Sequence, residues 1–371
     1  MEERIAYVRP SITELEISKA TEAAKFGWGP RSEFYIREFE EKFAELIGSE
    51  FAIATSSCTG ALHLGLAAFG ISEGDEVILA DTNWVATLAP IRYLGAKPIF
   101  VDIREDTWCI DTSQIRAKIT SKTKAIIATH LYGNLCEMDQ LIEIAQENNL
   151  YLIEDSAEAI GSQFMGRYAG SIADFGVFSF HGSKTITTGE GGMLTTNNAE
   201  FAKRVRTLNN HGREASELRQ FWPSSIGYKY KMTNIQAAIG CAQLERFHEL
   251  IERKKEIFNY YRNSLMSINS VSLNSVQKNC ESGYWMPNAV FSKESGLTRE
   301  KLGQLFEEAN IDARVFFWPL SDLDFNESAN NLVARDLASR SINLPSYHDM
   351  SKDHQDRVIQ VIKNAIDKSA S

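Results

Sequence analysis

Basic charge is what this sequence is short of. Its 371 residues include 39 Lys and Arg against 49 Asp and Glu, a formal net charge of −10. A general nucleic-acid binder presents a basic surface, so that class is disfavoured, although binding of one anionic small molecule is not excluded. Cysteine is scarce too. Cys58, Cys109, Cys136, Cys241 and Cys280 form an odd set without a C-x-x-C pair, which signals neither a disulfide framework nor a zinc site. The seven histidines lack metal-ligand spacing, so no metal is expected. No apolar run reaches the length of a membrane span, and the opening MEERIAYVRPSITELEI has no signal-peptide core. A cytoplasmic protein without a membrane partner is expected. Repeats and low-complexity tracts are missing. What is present is globular, 43% hydrophobic and 24% charged, with length for two or three domains.

One stretch organises the rest: Gly176–Met193, GVFSFHGSKTITTGEGGM. An apolar run, Phe178 to Phe180, empties into a small-residue turn carrying a single lysine, Lys184. With a reference pKa of about 10.4, a lysine is a poor nucleophile at neutral pH unless its surroundings lower that value or a carbonyl captures the amine. Gly189, Gly191 and Gly192 follow, and such a loop lets backbone approach a bound ligand closely. Read alone, Lys184 fits a solvated surface charge better than a reactive amine.

The remaining chain alternates strand and helix. A helix begins at Ser11 or Thr13 as N-cap, with Glu14 and Glu16 in its first turn. Phe34 to Ile47 has helical apolar spacing and stops at Gly48. Strands are expected at Phe51–Ala54, Glu76–Leu79, Pro98–Asp102, from Ala125, at Tyr151–Ile153 and from Met193. Helices are expected at Ala61–Phe69, through Tyr93, at Ser113–Ile119, Met138–Asn148, up to Leu208, Gln243–Leu265, Arg299–Asn310 and Asp353–Lys368. Asn209 to Tyr230 reads as loop. This alternation implies a mostly parallel sheet with helices on both faces, whose ligands lie beyond the carboxyl ends of the strands. Three features stand at such ends. Thr55-Ser-Ser-Cys-Thr-Gly at a helix N-terminus is either a phosphate cradle or an ordinary serine cap. Asp155 either meets a cationic partner or caps a helix. Trp84 is either a stacking platform or a packed side chain.

Five segments carry a resemblance. Ser179–Met193 (SFHGSKTITTGEGGM), Ile153–Gly161 (IEDSAEAIG), Gly227–Gly240 (GYKYKMTNIQAAIG), Asp312–Leu320 (DARVFFWPL) and Ser341–Tyr347 (SINLPSY) resemble, in the same order, the pyridoxal-phosphate-dependent sugar aminotransferases of the DegT/StrS type. Among these the perosamine synthases are nearest in motif. The resemblance implies an α/β fold, the aminotransferase fold type I, with a mostly parallel central sheet, helices on both faces and a smaller α+β C-terminal domain. The division would be residues 1–245 for the large cofactor domain and 246–371 for the small one. By the same resemblance Lys184 carries pyridoxal 5'-phosphate covalently, Cys58, Thr59 and Ser179 hold it, Trp84 stacks on its ring, and Asp155 faces the ring nitrogen with Glu158 near the ring hydroxyl. Lys229 would reach the phosphate of a neighbouring subunit, which implies a homodimer with shared active sites. Trp28, Arg31 and Phe317 fall where relatives meet substrate.

The implied reaction takes the amino group of L-glutamate to a keto sugar, a nucleotide-linked 4-keto-6-deoxyhexose, for surface polysaccharide. The chain departs from the pattern at Pro30–Glu33, at Lys229 where relatives have asparagine, and at Ser321 where perosamine synthases have histidine. These departures leave room for the 8-oxo octulosonate acid, aminated to 8-amino-3,8-dideoxy-octulosonate, whose carboxylate could use Arg31 or a nearby cation. A related branch that dehydrates has histidine at the lysine position, and Lys184 argues against it. A non-catalytic sensor on the same fold would bring a DNA-binding domain for which this length has no space.

Overall fold

The computed structural model describes residues 3–369. Its first helix, Glu14–Phe26, starts at Thr13, one of the two expected caps. The Thr13 hydroxyl accepts from the Leu15 amide, and the Glu16 carboxylate accepts from the Thr13 amide at 2.6 Å. The second long helix, Phe34–Ile47, buries Tyr35, Phe39, Phe43 and Ile47, one side chain per turn, and ends at Gly48 in the left-handed conformation (φ 79°).

Seven strands form the central sheet, in the spatial order Phe51–Thr55, Gly192–Thr196, Phe175–Ser179, Tyr151–Asp155, Thr123–Thr129, Glu76–Ala80, Lys97–Val101. Gly192–Thr196 is antiparallel to both its neighbours, and every other pairing is parallel. The exception has a local cause: no helix separates Ser179 from Gly192, so the chain folds straight back rather than crossing over. Side chains of the parallel strands alternate between two cores. Ile78, Ile126 and Ala128 join one, packed against Leu141 and Ile144 of the helix Met138–Asn148. Val77, Leu79, Ala125 and Ile127 join the other, against Leu62 and Leu66 of the helix Cys58–Ala68. Burial on both faces is why these strands read as continuous apolar runs.

A smaller four-stranded sheet, in the order Val271–Ser272, Asn288–Phe291, Ser341–Asn343, Arg314–Val315, is entirely antiparallel. It shares a core with the helices Phe247–Leu265, Arg299–Glu308 and Lys352–Ser369. Ile5 belongs to that core: its amide bonds the Asn310 carbonyl at 3.1 Å and its carbonyl accepts from Asp312 at 2.8 Å. No helix among the described residues is long and apolar enough to cross a membrane.

Two helical expectations need correction. Ser113–Ile119 is only a short turn of helix, Thr112–Ile115, followed by a 3-10 turn, Arg116–Lys118; burial of Thr112 and Ile115 alone gives too little packing to extend it. The helix expected over Gln243–Leu265 is two, Asn234–Glu245 and Phe247–Leu265, broken at Arg246. There the guanidinium turns back to Glu16 at 3.1 Å and to the Ser11 carbonyl at 3.2 Å. The first of these helices was signalled by the Thr233…Gln236 capping box, and the helix Leu332–Ser339 also went unrecognised.

Candidate active site

The carboxyl ends of the parallel strands open on one cavity of about 790 Å³. Strand Phe175–Ser179 delivers the lysine. The chain turns once after Ser179, closed by the Lys184 amide on the His181 carbonyl at 2.9 Å, and the Lys184 side chain is 12% exposed. Its Nζ lies 3.3 Å from Glu158 Oε1 and 3.7 Å from the centroid of the Trp285 ring. The indole is itself anchored to this turn, donating from Nε1 to the Ser183 carbonyl at 2.8 Å. The amine therefore stands between a carboxylate and an aromatic face. Glu158 is bonded on its other oxygen by the Tyr132 amide at 2.9 Å. Burial pushes its carboxyl above the usual range, an effect opposed by Lys184.

The adjacent strand ends in Asp155, which is 5% exposed. One of its oxygens accepts from the Thr87 hydroxyl and the other from the Ala157 amide at 3.2 Å. Thr87 sits in the helix Val85–Tyr93, behind Trp84, whose amide is fixed by Asn83 Oδ1 at 2.7 Å. Trp84 is exposed into the cavity and faces Phe317, ring centroids 6.0 Å apart.

Ser57 caps the helix Cys58–Ala68, its Oγ accepting from Gly60 at 3.0 Å and its carbonyl from Ala61 at 3.0 Å. The amides of Cys58 and Thr59 have no acceptor among the described residues, and both residues line the cavity. Serine cap and anion cradle thus coexist at this helix start. Burial pushes the Cys58 thiol well up, so it stays neutral beside whatever anion those amides meet. The glycines after Lys184 do not all act as expected. A Cβ at Gly192 would overlap the Ser57–Cys58 peptide, and one at Gly191 would overlap Thr188 and Met232. Gly192 thus admits protein rather than ligand and packs the lysine loop against the cradle, while Gly191 lines the cavity and Gly189 stands in open space at φ 81°.

Of the residues picked from sequence, Cys58, Thr59, Trp84, Asp155, Glu158, Ser179, Lys184 and Phe317 line this single cavity. Trp28, Arg31 and Lys229 do not. Trp28 is 64% exposed and donates to the Ala24 carbonyl at 2.7 Å. Arg31 approaches Glu22 at 3.5 Å and lies over the Phe34 ring. Lys229 is exposed near the end of the loop. Ser321, one of the departures noted above, is not at the cavity surface. It is buried and bonds Asp81 from both its amide (2.8 Å) and its hydroxyl (2.7 Å). Sequence reasoning missed Trp285, Thr87, Asn83 and Arg314. Thr87 alone had a local signal, one helical turn beyond Trp84.

Unpaired amides at a helix start, a buried carboxylate and a half-hidden amine, all facing one space, fit the phosphate, ring nitrogen and aldehyde of pyridoxal phosphate. Solved structures with this architecture include sugar aminotransferases. Spr1654 of Streptococcus pneumoniae, in its PLP-form, superposes with a TM-score of 0.90 at 29% identity over 99% of each chain. DesI, determined in the presence of its TDP-sugar product, gives a TM-score of 0.90 at 29% identity, covering 99% of this chain and 94% of its own. The chain belongs to the DegT/DnrJ/EryC1/StrS aminotransferase family, whose profile matches residues 10–363. It is 41% identical over 351 residues to the GDP-perosamine synthase of Escherichia coli O157:H7, covering 94% of this chain and 95% of that one.

Proposed function

We propose that this protein uses pyridoxal 5'-phosphate to transfer the amino group of L-glutamate to a nucleotide-linked 4-keto-6-deoxyhexose, making an amino sugar for surface polysaccharide. The supporting observation is that Lys184, Asp155 and the unpaired amides of Cys58 and Thr59 line one cavity. The chain around them is 41% identical to a GDP-perosamine synthase.

The bound cofactor supplies an electron sink for the substrate carbon that loses its proton. The amides of Cys58 and Thr59, with the helix dipole behind them, would hold its phosphate. Asp155 would keep its ring nitrogen protonated, the Thr87 hydroxyl fixing which oxygen is presented. Trp84 would cover a face of the ring. Lys184 would take and hold the proton from the amino acid Cα, serving as base first and acid second. Glu158, 3.3 Å away, keeps the freed amine in reach and can share its proton. Once 2-oxoglutarate leaves, the same groups act in reverse order on the keto sugar.

Incubation of the holoenzyme with L-glutamate and a GDP-linked 4-keto-6-deoxyhexose, read by mass spectrometry, tests the proposal. An amino sugar is the expected product. The 8-oxo octulosonate acid is the second acceptor to assay, because Arg314 brings a cation to the cavity wall where Arg31 does not. Turnover of the acid without the nucleotide sugar would reverse the assignment. Glutamate alone should change the cofactor absorbance, and a sensor would leave it unchanged.

A homodimer completes the proposal. Leu218, Phe221, Trp222 and Ile226, exposed at 95, 85, 52 and 95%, precede Lys229 in one loop, the exposure expected of a surface that another subunit covers. Lys229 would then serve the partner's phosphate site, and light scattering should return twice the chain mass.

A further inference from the structure

The cavity contains an aromatic group that the cofactor reading does not use. Trp318 lines it and is 51% exposed, as is expected of a ring with one face covered. The cover is Arg299, whose guanidinium carbon lies 3.4 Å from the indole centroid. Arg299 opens the helix Arg299–Glu308 and is only 5% exposed. Its Nε and Nη1 find no hydrogen-bond acceptor among the described residues, and the Glu300 carboxylate stands 3.8 Å from Nε. A buried cation with unmet donors is unfavourable in itself, and burial draws its pKa down. The indole face is the partner it has, and that attraction strengthens as water is excluded. The consequence is a tryptophan whose plane is set from beneath and whose upper face is free. Phe325, 66% exposed, adds a second apolar surface to the same cavity.

We propose that the outer face of Trp318, held flat by Arg299, is the base-stacking subsite for the nucleotide of the sugar substrate. This rests on the nucleotide-linked reading and deepens it. Every nucleobase has a π-face, so the platform fixes where the nucleotide lies while tolerating which base it carries. A ring already immobilised loses little freedom when a base settles on it. Small ligands without a base pass it by.

The test is calorimetric titration of the cofactor-loaded enzyme with GDP, UDP and pyrophosphate. Trp318→Ala should weaken GDP and UDP at least tenfold, about 1.4 kcal/mol. Trp318→Phe should stay within about threefold of wild type. Pyrophosphate, which has no base, should bind both variants as it binds wild type. Arg299→Met keeps the indole but removes its support, and should weaken GDP about threefold or more. Cofactor absorbance and the melting transition verify folding, and Trp318→Leu replaces the alanine variant if that one loses cofactor. GDP binding unchanged in Trp318→Ala overturns the subsite while leaving the nucleotide-linked reading intact. Equal weakening of GDP and pyrophosphate overturns it as well. A wild-type enzyme that binds neither nucleotide defeats the underlying reading, and the subsite with it.

Discussion

Gly192→Ala is the sharpest test of how the cradle is built. The glycine sits in a strand with ordinary extended backbone, so adding a methyl group creates no conformational strain. What it creates is overlap: the new Cβ would stand 2.5 Å from Cys58 N and 2.6 Å from the Ser57 carbonyl oxygen. Ordinary contact begins near 3.4 Å, so the Ser57–Cys58 peptide must withdraw by about 1 Å. A phosphate oxygen held by the Cys58 amide at about 2.9 Å would then be out of hydrogen-bond range. Hydrogen bonds to charged groups contribute about 1.5–3 kcal/mol, which corresponds to roughly a 10- to 150-fold rise in the cofactor dissociation constant. The overpacking should also cost about 1–3 kcal/mol of stability. Equilibrium dialysis against pyridoxal phosphate, followed by absorbance, measures the first effect, and urea unfolding of the apoenzyme measures the second. The expected pattern is a large loss of cofactor affinity with a folded, moderately destabilised chain. A variant with wild-type affinity and wild-type unfolding midpoint would refute the argument that this peptide is the cradle and that Gly192 protects it.

Three other outcomes follow from the geometry. Lys184→Ala should gain no cofactor mass after borohydride reduction and lose about 10²–10⁴-fold in transamination, the usual range for removal of a general base; intact-mass spectrometry and a coupled glutamate assay measure both. Thr87→Val leaves Asp155 with one donor fewer, so kcat should fall about tenfold, and Thr87→Ser should restore it. Lys254 is fully enclosed, donating to the carbonyls of Trp285 (3.1 Å) and Ser346 (2.8 Å), and burial pulls its pKa down from 10.5 to about 7. The unfolded chain therefore holds this proton more tightly than the folded one. Stability should rise as pH increases from about 7 toward 10.5, and Lys254→Met should flatten that slope in urea midpoints collected across the range.

Local physics marked where the parts of the site lie, but their roles were readable only through the resemblance to the sugar aminotransferases. Asp155 and Ser179 end apolar runs, Ser57 precedes a helix, and Lys184 follows a strand in a small-residue turn. Helix limits were readable where a cap or a left-handed glycine declared them, as at Thr13 and Gly48. They failed where a distant side chain intervened: nothing near Arg246 reveals that Glu16 and Ser11 will draw it out of the helix.

The sequence by itself determined the alternation of strand and helix and the end of the sheet at which ligands gather, while Lys184 stood out only through the resemblance of its segment to the sugar aminotransferases. The first two depend on spacing between near neighbours, which sets what can be buried together. The tertiary structure alone decided that Trp285, about 100 residues from the turn it anchors, lies over Lys184. It also decided that Ser321 supports buried Asp81 rather than lining the cavity, that Gly192 faces the cradle peptide, and that Arg299 underlies Trp318. All but the last of these contacts join segments more than a hundred residues apart in the chain. Their energy is gained only once the segments have been brought together by the fold, and so they leave no periodic trace in either segment alone.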